Sequence, residues 1–334
     1  MAQIASLPRP ADRRTVVAVG TMLVAVALVV SVGDPGRFAW VRTFFVIFGS
    51  LLIQALPFVL LGALAAALVE VFVPIGWFEK LGVLPRPLQL PAAALAGLAF
   101  PICECGSVPV ARRLMQRGLM PSAAVTFMLA APVLNPVVIA STFVAFRGRT
   151  TLWTMVGGRF LLGMLVAIAV GWVIGNRSKD ELLKPNPEEA DEHLLQLGRP
   201  EARWRRFFVH LGNDFLFMGR YLLLGATIAA AIQTFLPTSL LTGLAERQVI
   251  SVLAMMALAA ALSLCSESDA FVAASFVQFG PSAMLGLLVF GPMVDLKLVS
   301  LYAGTFRRGF ARTVVLVAAV ATFVGALWVG VAFG

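Results

Sequence analysis

The sequence predicts an all-α, polytopic membrane protein, and three observations lead to this class. Hydrophobic residues make up 60% of the 334-residue chain and charged residues only 13%, whereas about a quarter of a soluble domain is charged. Several apolar runs approach or exceed the ~20 residues that a helix needs to cross a bilayer. The net charge of +9 comes from basic residues between these runs, as in cytoplasmic loops, and does not indicate a nucleic-acid partner.

The N-terminal part, residues 1–42, is predicted to hold a short basic tail and a first transmembrane helix over Val16–Val32. No small-residue cleavage site follows this run, and the chain enters the turn signal Gly33–Gly36, so we interpret it as a helix rather than a signal peptide. The later spans are apolar runs that prolines, glycines or basic loops interrupt or end. They are Thr43–Val73, Pro121–Phe146, Leu152–Gly175, Phe207–Leu236, Pro281–Tyr302 and Thr313–Ala332.

One hydrophilic segment, residues 176–206, divides the chain. It combines many basic residues with a short acidic run, which is the composition of a flexible cytoplasmic linker. It separates a first membrane repeat over residues 43–175 from a second over residues 207–334.

The two repeats align with an offset of 160 positions, which places Cys105 on Cys265 and Asn135 on Asp295. Apolar sequences match easily by chance, but cysteines, prolines and arginines that match in one register are a stronger signal. Internal duplication with proline-interrupted segments at corresponding places is typical of transporters.

The orientation of the repeats follows from the basic segments. The N-terminus and the linker belong on the cytoplasmic side, and four clear spans lie between them. The segment Pro91–Leu119 must then enter and leave on one side; about 11 helical residues on either side of its tip reach about 16 Å, half of a ~30 Å core. The sequence therefore predicts two inverted repeats, each of three transmembrane helices plus a re-entrant or broken hairpin, with one extra N-terminal helix. If Pro91–Leu119 and Val249–Gly280 are full spans, the repeats are parallel, and this alternative stays open.

The stretch Phe100–Pro109 reads FPICECGSVP and forms the tip of the first hairpin. Its glycine and prolines argue against a continuous helix. Non-helical backbone at membrane depth is tolerated only where it is buried in protein or lines a polar cavity, and an ionisable group there costs about 2.5–3.5 kcal/mol. The tip is therefore the first candidate for a functional site.

The candidate substrate ligands are three cysteines and two polar residues at predicted helix breaks. They are Cys103, Cys105, Cys265, Asn135 and Asp295. Thiols suit soft, thiophilic centres. A lone membrane cysteine is usually only a small packing residue, but two at a broken tip with a counterpart in the other repeat favour a function.

Acidic residues in apolar surroundings are candidates for proton coupling, because burial favours the protonated form of a carboxyl group. Glu104, Glu267 and Asp269 are assigned this role. The alternative is that such carboxylates pair with an arginine or with Lys297, which lies two residues from Asp295 and is expected to neutralise one of the buried carboxylates. No cofactor and no metal site is predicted.

Two segments, PICECGSVPVARRLMQRGLMPSAAVTFMLAAPVLNP and SLCSESDAFVAA, resemble the large predicted-permease family that includes the YraQ-type proteins and the organoarsenical efflux permeases. The likeness runs from about Val41 to the C-terminus, and C-x-C-G…P and A-P-x-x-N-P are its most specific motifs. It implies a bacterial inner-membrane permease; for the arsenic-transporting branch it implies proton-driven export of thiol-bound trivalent organoarsenicals. By these motifs it carries over Cys103, Cys105 and Asn135.

Two functions of different classes follow. The first is a secondary transporter, not an enzyme, that exports a soft, thiophilic solute such as a trivalent organoarsenical through a midplane site of cysteines and carboxylates. The second is a thiol–disulfide electron carrier resembling the CcdA-type membrane reductases, which would use Cys105 and Cys265. The expected partners are a small-molecule or metalloid solute and the lipid bilayer, and a homo-oligomer is an open possibility.

Overall fold

The computed structural model describes residues 39–72, 85–99, 102–175, 177–184, 203–235 and 247–333. The predicted first span, Val16–Val32, lies outside the described residues, as do residues 176 and 185–202 of the predicted linker over residues 176–206. The described part of the chain is almost wholly α-helical, which confirms the all-α class.

The first half of the chain holds six helices within its described residues and is followed by one short helix. They are α1 (Ala39–Phe72), α2 (Arg86–Ala99), α3 (Glu104–Gln116), α4 (Pro121–Leu134), α5 (Pro136–Ala145) and α6 (Leu152–Ile174), and then α7 (Lys179–Leu182). Helices α4 and α5 each begin with a proline. A proline at the first position of a helix costs no hydrogen bond, because the N–H at that position has no partner within the helix.

The second half repeats this succession of long, short and long helices. Its helices are α8 (Arg203–Phe235), α9 (Gln248–Leu262), α10 (Asp269–Ser275), α11 (Pro281–Phe290), α12 (Leu296–Thr305) and α13 (Arg308–Phe333). The order of elements agrees with the duplication that the sequence predicts. The inversion of one half relative to the other stays a prediction.

Among the described residues, five stretches are long and apolar enough to cross a membrane: Trp40–Leu68, Pro121–Ala145, Leu152–Ile174, Phe207–Phe235 and Gly309–Ala332. These stretches coincide with predicted spans and make the chain a multi-pass membrane protein. Large apolar side chains lie exposed on their outer faces, where lipid would cover them. Examples are Ile53, Leu165, Trp172, Phe208, Leu224, Trp328 and Val331.

The predicted span Pro281–Tyr302 is not one helix. Helix α11 ends at Phe290 and α12 begins at Leu296. Pro292 has no N–H to continue the ladder of hydrogen bonds, and Asp295 instead caps the next helix. The equivalent break in the first half, at Asn135 between α4 and α5, is shorter.

The two halves pack against each other along equivalent helices. Helix α1 lies along α8, and α6 lies against α13. Small residues allow the close approach: Ala63, Ala66 and Ala67 of α1 are fully buried, as are their counterparts on α8, Ala226, Ala229 and Ala230. Contacts between the halves also join α3 to α12 and α10 to α5, and these four broken helices bring the candidate site together.

Candidate functional site

The tip of the first hairpin lies at the start of α3. The carbonyl of Cys103 accepts the N–H groups of Gly106 and Ser107, so Glu104 and Cys105 fall in the first helical turn. The positive end of the helix dipole favours a carboxylate there. Glu104 has no exposed surface.

A pair of glycines presses this tip against α1. A Cβ atom added to Gly62 would lie 2.2 Å from the Cα atom of Gly106. No side chain fits between the two backbones, so the glycines fix the depth at which Cys103 and Cys105 are held.

A lysine from the second half reaches this tip. The Nζ atom of Lys297 lies 3.7 Å from Oε1 of Glu104 and 3.6 Å from Oδ2 of Asp295. Lys297, expected to neutralise one buried carboxylate, is therefore shared between Asp295 and Glu104. If all three are ionised, the group carries one excess negative charge in a buried setting, which is costly unless a proton or cation compensates it.

Ser266 and Glu267, in the predicted tip of the second hairpin, lie close to Glu104. The Ser266 hydroxyl donates to Oε2 of Glu104 at 3.0 Å and lies 3.5 Å from Oε2 of Glu267. One ligand atom each from Glu104, Cys265 and Glu267 lie within 4.8 Å of one another. This set of thiol and carboxylate donors could hold a thiophilic cation, although Lys297 competes for Glu104.

The cysteines are free thiols and are buried, with exposures of 3% for Cys103, 4% for Cys105 and 3% for Cys265. Cys105 shares the lining of a small cavity with Lys297. The Sγ atom of Cys265 lies within 4.8 Å of a carboxylate oxygen of Glu104. We refer to Glu104, Cys105, Cys265, Asp295 and Lys297 as the junction cluster, because both halves of the chain contribute to it.

Asn135 and Asp295 have the same local role at the two equivalent breaks. The Oδ1 atom of Asn135 accepts the N–H of Val137 at 2.9 Å, and Oδ1 of Asp295 accepts the N–H of Leu298 at 2.6 Å. Both therefore cap the helix that follows. Asp295 also belongs to the junction cluster, whereas solute binding by Asn135 stays a prediction.

Asp269 has a different environment from the other two candidate proton carriers. Both of its carboxylate oxygens accept hydrogen bonds from the guanidinium of Arg159, each at 2.7 Å. Arg159 also donates to the hydroxyl of Thr142 and to the carbonyl of Ser266. The ion pair therefore fastens the second hairpin to α5 and α6.

Sequence reasoning missed Arg159, although a signal was present. An arginine in the middle of an apolar span such as Leu152–Gly175 is by default a functional or structural ionic site. A further missed group lies at the other end of α3. There Nη2 of Arg113 lies 3.0 Å from Oδ1 of Asp214 and 3.3 Å from Nδ1 of His210.

Comparison with known proteins gives the same family that the motifs suggest. A family model described as predicted permease matches residues 41–331. The chain is 38% identical over 285 residues to UPF0718 protein YcgR of Bacillus subtilis (strain 168), covering 85% of this chain and 95% of that protein.

A second relative is the "Putative two-component membrane permease complex subunit" of Streptococcus mutans serotype c. It is 32% identical over 288 residues, which cover 85% of this chain and 94% of the relative. No solved structure matches the chain.

Proposed function

Because the chain belongs to the predicted-permease family, we propose that it is a secondary transporter that exports a soft, thiophilic solute across the bacterial inner membrane. The junction cluster is the observation that carries this proposal. Buried thiols and ionisable groups meet there at the broken ends of helices from both halves. Such discontinuous helices form the solute sites of many transporters.

The solute in this proposal is small and carries a soft centre, and a trivalent organoarsenical is the representative that the thiols fit best. Trivalent arsenic is thiophilic, and Cys105 and Cys265 are the thiols in the cluster, with Cys103 adjacent to it. Asn135 and Asp295 at the helix breaks complete the proposed site.

Proton coupling in this proposal falls to Glu104 and Glu267, with Asp269 in a supporting part. Glu104 shares Lys297 with Asp295, so protonation of one carboxylate leaves the lysine to the other and changes a contact between the halves. Asp269 is held by Arg159 on both oxygens and has less freedom to exchange a proton. In the proposed cycle the two halves are inverted repeats that rock about this contact.

The direct test is arsenic accumulation in cells that lack their own arsenic exporters. Cells with the wild-type protein should accumulate less arsenic from trivalent methylarsenite than cells with Cys105→Ser or Cys265→Ser. The matched control is Ala257→Ser, a substitution on an exposed face of α9 away from the cluster. Equal accumulation in all strains would contradict the arsenical as solute.

The electron carrier is the second candidate, and the placement of Cys105 and Cys265 as buried free thiols in one cluster is the observation that favours it. In this function the two thiols pass two protons and two electrons to a disulfide-bearing acceptor on one side of the membrane and form a disulfide, which a dithiol reductant on the other side reopens. Thiol trapping in the same membranes separates the two functions. A reducible Cys105–Cys265 bond together with unchanged arsenic levels would favour the carrier.

The partner question is part of the proposal. The name of the S. mutans relative describes a complex subunit, and we propose that this chain likewise assembles, either with a second kind of subunit or with a copy of itself. Gentle detergent extraction followed by mass measurement of the intact assembly distinguishes these arrangements from a monomer.

A further inference from the structure

Two adjoining cavities lie between α3, α8 and α12. The inner one is lined by Cys105 and Lys297 of the junction cluster and is too narrow to hold a water molecule. The outer one is lined by Arg112 and Asp214 among others and has about 10 Å³ of free volume, the lower limit of what one water molecule needs. Met218 and Leu301 line both cavities and so separate them.

The lining residues form one continuous stripe on each of the three helices. Residues three or four positions apart lie on the same face of a helix. The stripes are Cys105, Val108 and Arg112 on α3; Leu222, Met218 and Asp214 on α8; and Lys297, Leu301 and Thr305 on α12. Eight residues of helix advance about 12 Å, so the stripes lead from the cluster toward one surface over roughly that length.

The outer end of this passage is closed by residues 177–184, the segment that leads from α6 into the linker; we call it the strap. The carbonyl of Lys184 accepts a hydrogen bond from Arg112 at 3.2 Å, and its N–H donates to the carbonyl of Thr305 at 3.0 Å. Both partners line the outer cavity. A third bond joins the N–H of Arg307 to the carbonyl of Leu182 at 2.8 Å.

The passage is shut in this structure. Cys105 has 4% of its surface exposed and Lys297 has 2%. Met218 is 2% exposed and Leu301 4%, so the wall between the cavities is closely packed. Methionine is flexible and its thioether is polarisable, which suits a constriction that opens for a soft solute.

We infer that the solute passes between the junction cluster and the linker side of the membrane along this passage, with Met218 and Leu301 as its constriction and the strap as its outer gate. The inference rests on the proposed function in one respect, since it takes Cys105 as the place where solute is bound. It adds the route and the residues that control it.

The test measures how fast Cys105 reacts with a charged methanethiosulfonate reagent that does not cross membranes. The full chain is prepared in vesicles of both orientations, and mass spectrometry reads the modification of Cys105. In Thr305→Cys the introduced thiol lies in the outer cavity. It should react on the same face as Cys105 and faster, which identifies the linker side.

Met218→Trp places a bulky ring in the constriction. We expect it to slow the modification of Cys105 from that face by about tenfold, the factor that a barrier higher by about 1.4 kcal/mol produces. The matched control is Leu224→Trp on the same helix, at a position that is 53% exposed on the outer face. An unchanged rate in Met218→Trp, or an equal loss in Leu224→Trp, overturns the route.

Arg112→Gln tests the gate. It should speed the modification of Cys105, whereas Met218→Trp should slow it. Without the guanidinium, the strap loses its bond to α3, and Cys105 should react faster from the linker side. Arg312→Gln, on an exposed part of α13, is the control. If Cys105 is modified in Arg112→Gln at the same rate as in the wild type, the strap is not a gate. This test does not require Met218→Trp, so it holds even if that variant cannot be recovered from membranes.

These reaction rates do not depend on arsenic transport. If arsenic levels are unaffected by the protein but Met218→Trp protects Cys105, the route stands and the solute is wrong. If arsenic export depends on Cys105 but neither Met218→Trp nor Arg112→Gln alters its labelling, the function stands and the route is wrong.

Discussion

Arg159 of the first half and Asp269 of the second half form a two-pronged ion pair, with both N–O distances at 2.7 Å and residues 110 positions apart in the chain. Arg159 has no exposed side-chain surface and Asp269 has 4%. This planar pairing of guanidinium with carboxylate is the strongest kind of hydrogen-bonded ion pair. Together with Lys297 and Glu104, it makes the contact between the halves ionic at its centre.

The first prediction concerns this pair. Arg159→Met or Asp269→Leu alone leaves one buried charge without a partner, and each should lower stability by about 3–5 kcal/mol. The double variant removes both charges and should lose much less than the sum. Thermal denaturation of the purified protein in detergent measures all three. Additive losses would show that the two residues act independently.

The second prediction concerns Lys297. Lys297→Met leaves Glu104 and Asp295 facing each other without a cation, so we expect a lower melting temperature and loss of arsenic export. Adding Glu104→Gln removes one of the two negative charges and should restore part of the stability but not the export. Arg312→Met, which removes an exposed cation on α13, is the control and should change neither. Full export by Lys297→Met would remove the lysine from the proposed mechanism.

The third prediction concerns the contact of the hairpin tip with α1. Gly62→Ala places a Cβ atom 2.2 Å from the backbone of Gly106, so α1 and α3 must move apart. Overpacking of this kind typically costs about 1–3 kcal/mol. Gly49→Ala on the same helix meets no atom within 4 Å and should leave the melting temperature unchanged or slightly raised. The measurement is the difference in melting temperature between Gly62→Ala and Gly49→Ala.

The same comparison applies to the second half. A Cβ atom on Gly225 would lie 2.7 Å from the Cα atom of Lys297, whereas one on Gly219 would meet no atom within 4 Å. Gly225→Ala should therefore disturb the lysine as well as the packing. If Gly225→Ala lowers the melting temperature no more than Gly219→Ala does, α8 and α12 can move apart with little loss of stability.

Several features of the site were predictable because they are local. Asn135 directly precedes Pro136, and a capping residue before a proline marks the start of a helix. Lys297 was expected to neutralise one of the buried carboxylates, and it lies near two of them. The small residues after Gly62 and Gly225 are typical of closely packed transmembrane helices, and the alanines among them are fully buried.

Other features were out of reach of the sequence. Several cations and several carboxylates offered many pairings, and nothing in the local pattern assigns Glu104 to Lys297 or Asp269 to Arg159. A break near Asp295 was expected, but the apolar sequence of Pro281–Tyr302 did not show that the break covers residues 291–295 and leaves two short helices. The solute roles assigned to the cysteines stay predictions.

By itself, the sequence determined the membrane class, the succession of helices and a helix break near each of Asn135 and Asp295, and it predicts the duplication. These follow from hydrophobic length, from the backbone limits of proline and glycine, and from capping chemistry, all of which act over a few residues. Only the tertiary structure decided which charges share a partner and which backbones approach closely. Those outcomes depend on how α3, α8 and α12 pack against one another. A glycine pair that brings two backbones together, or a lysine that reaches across, acts between residues that the chain keeps far apart.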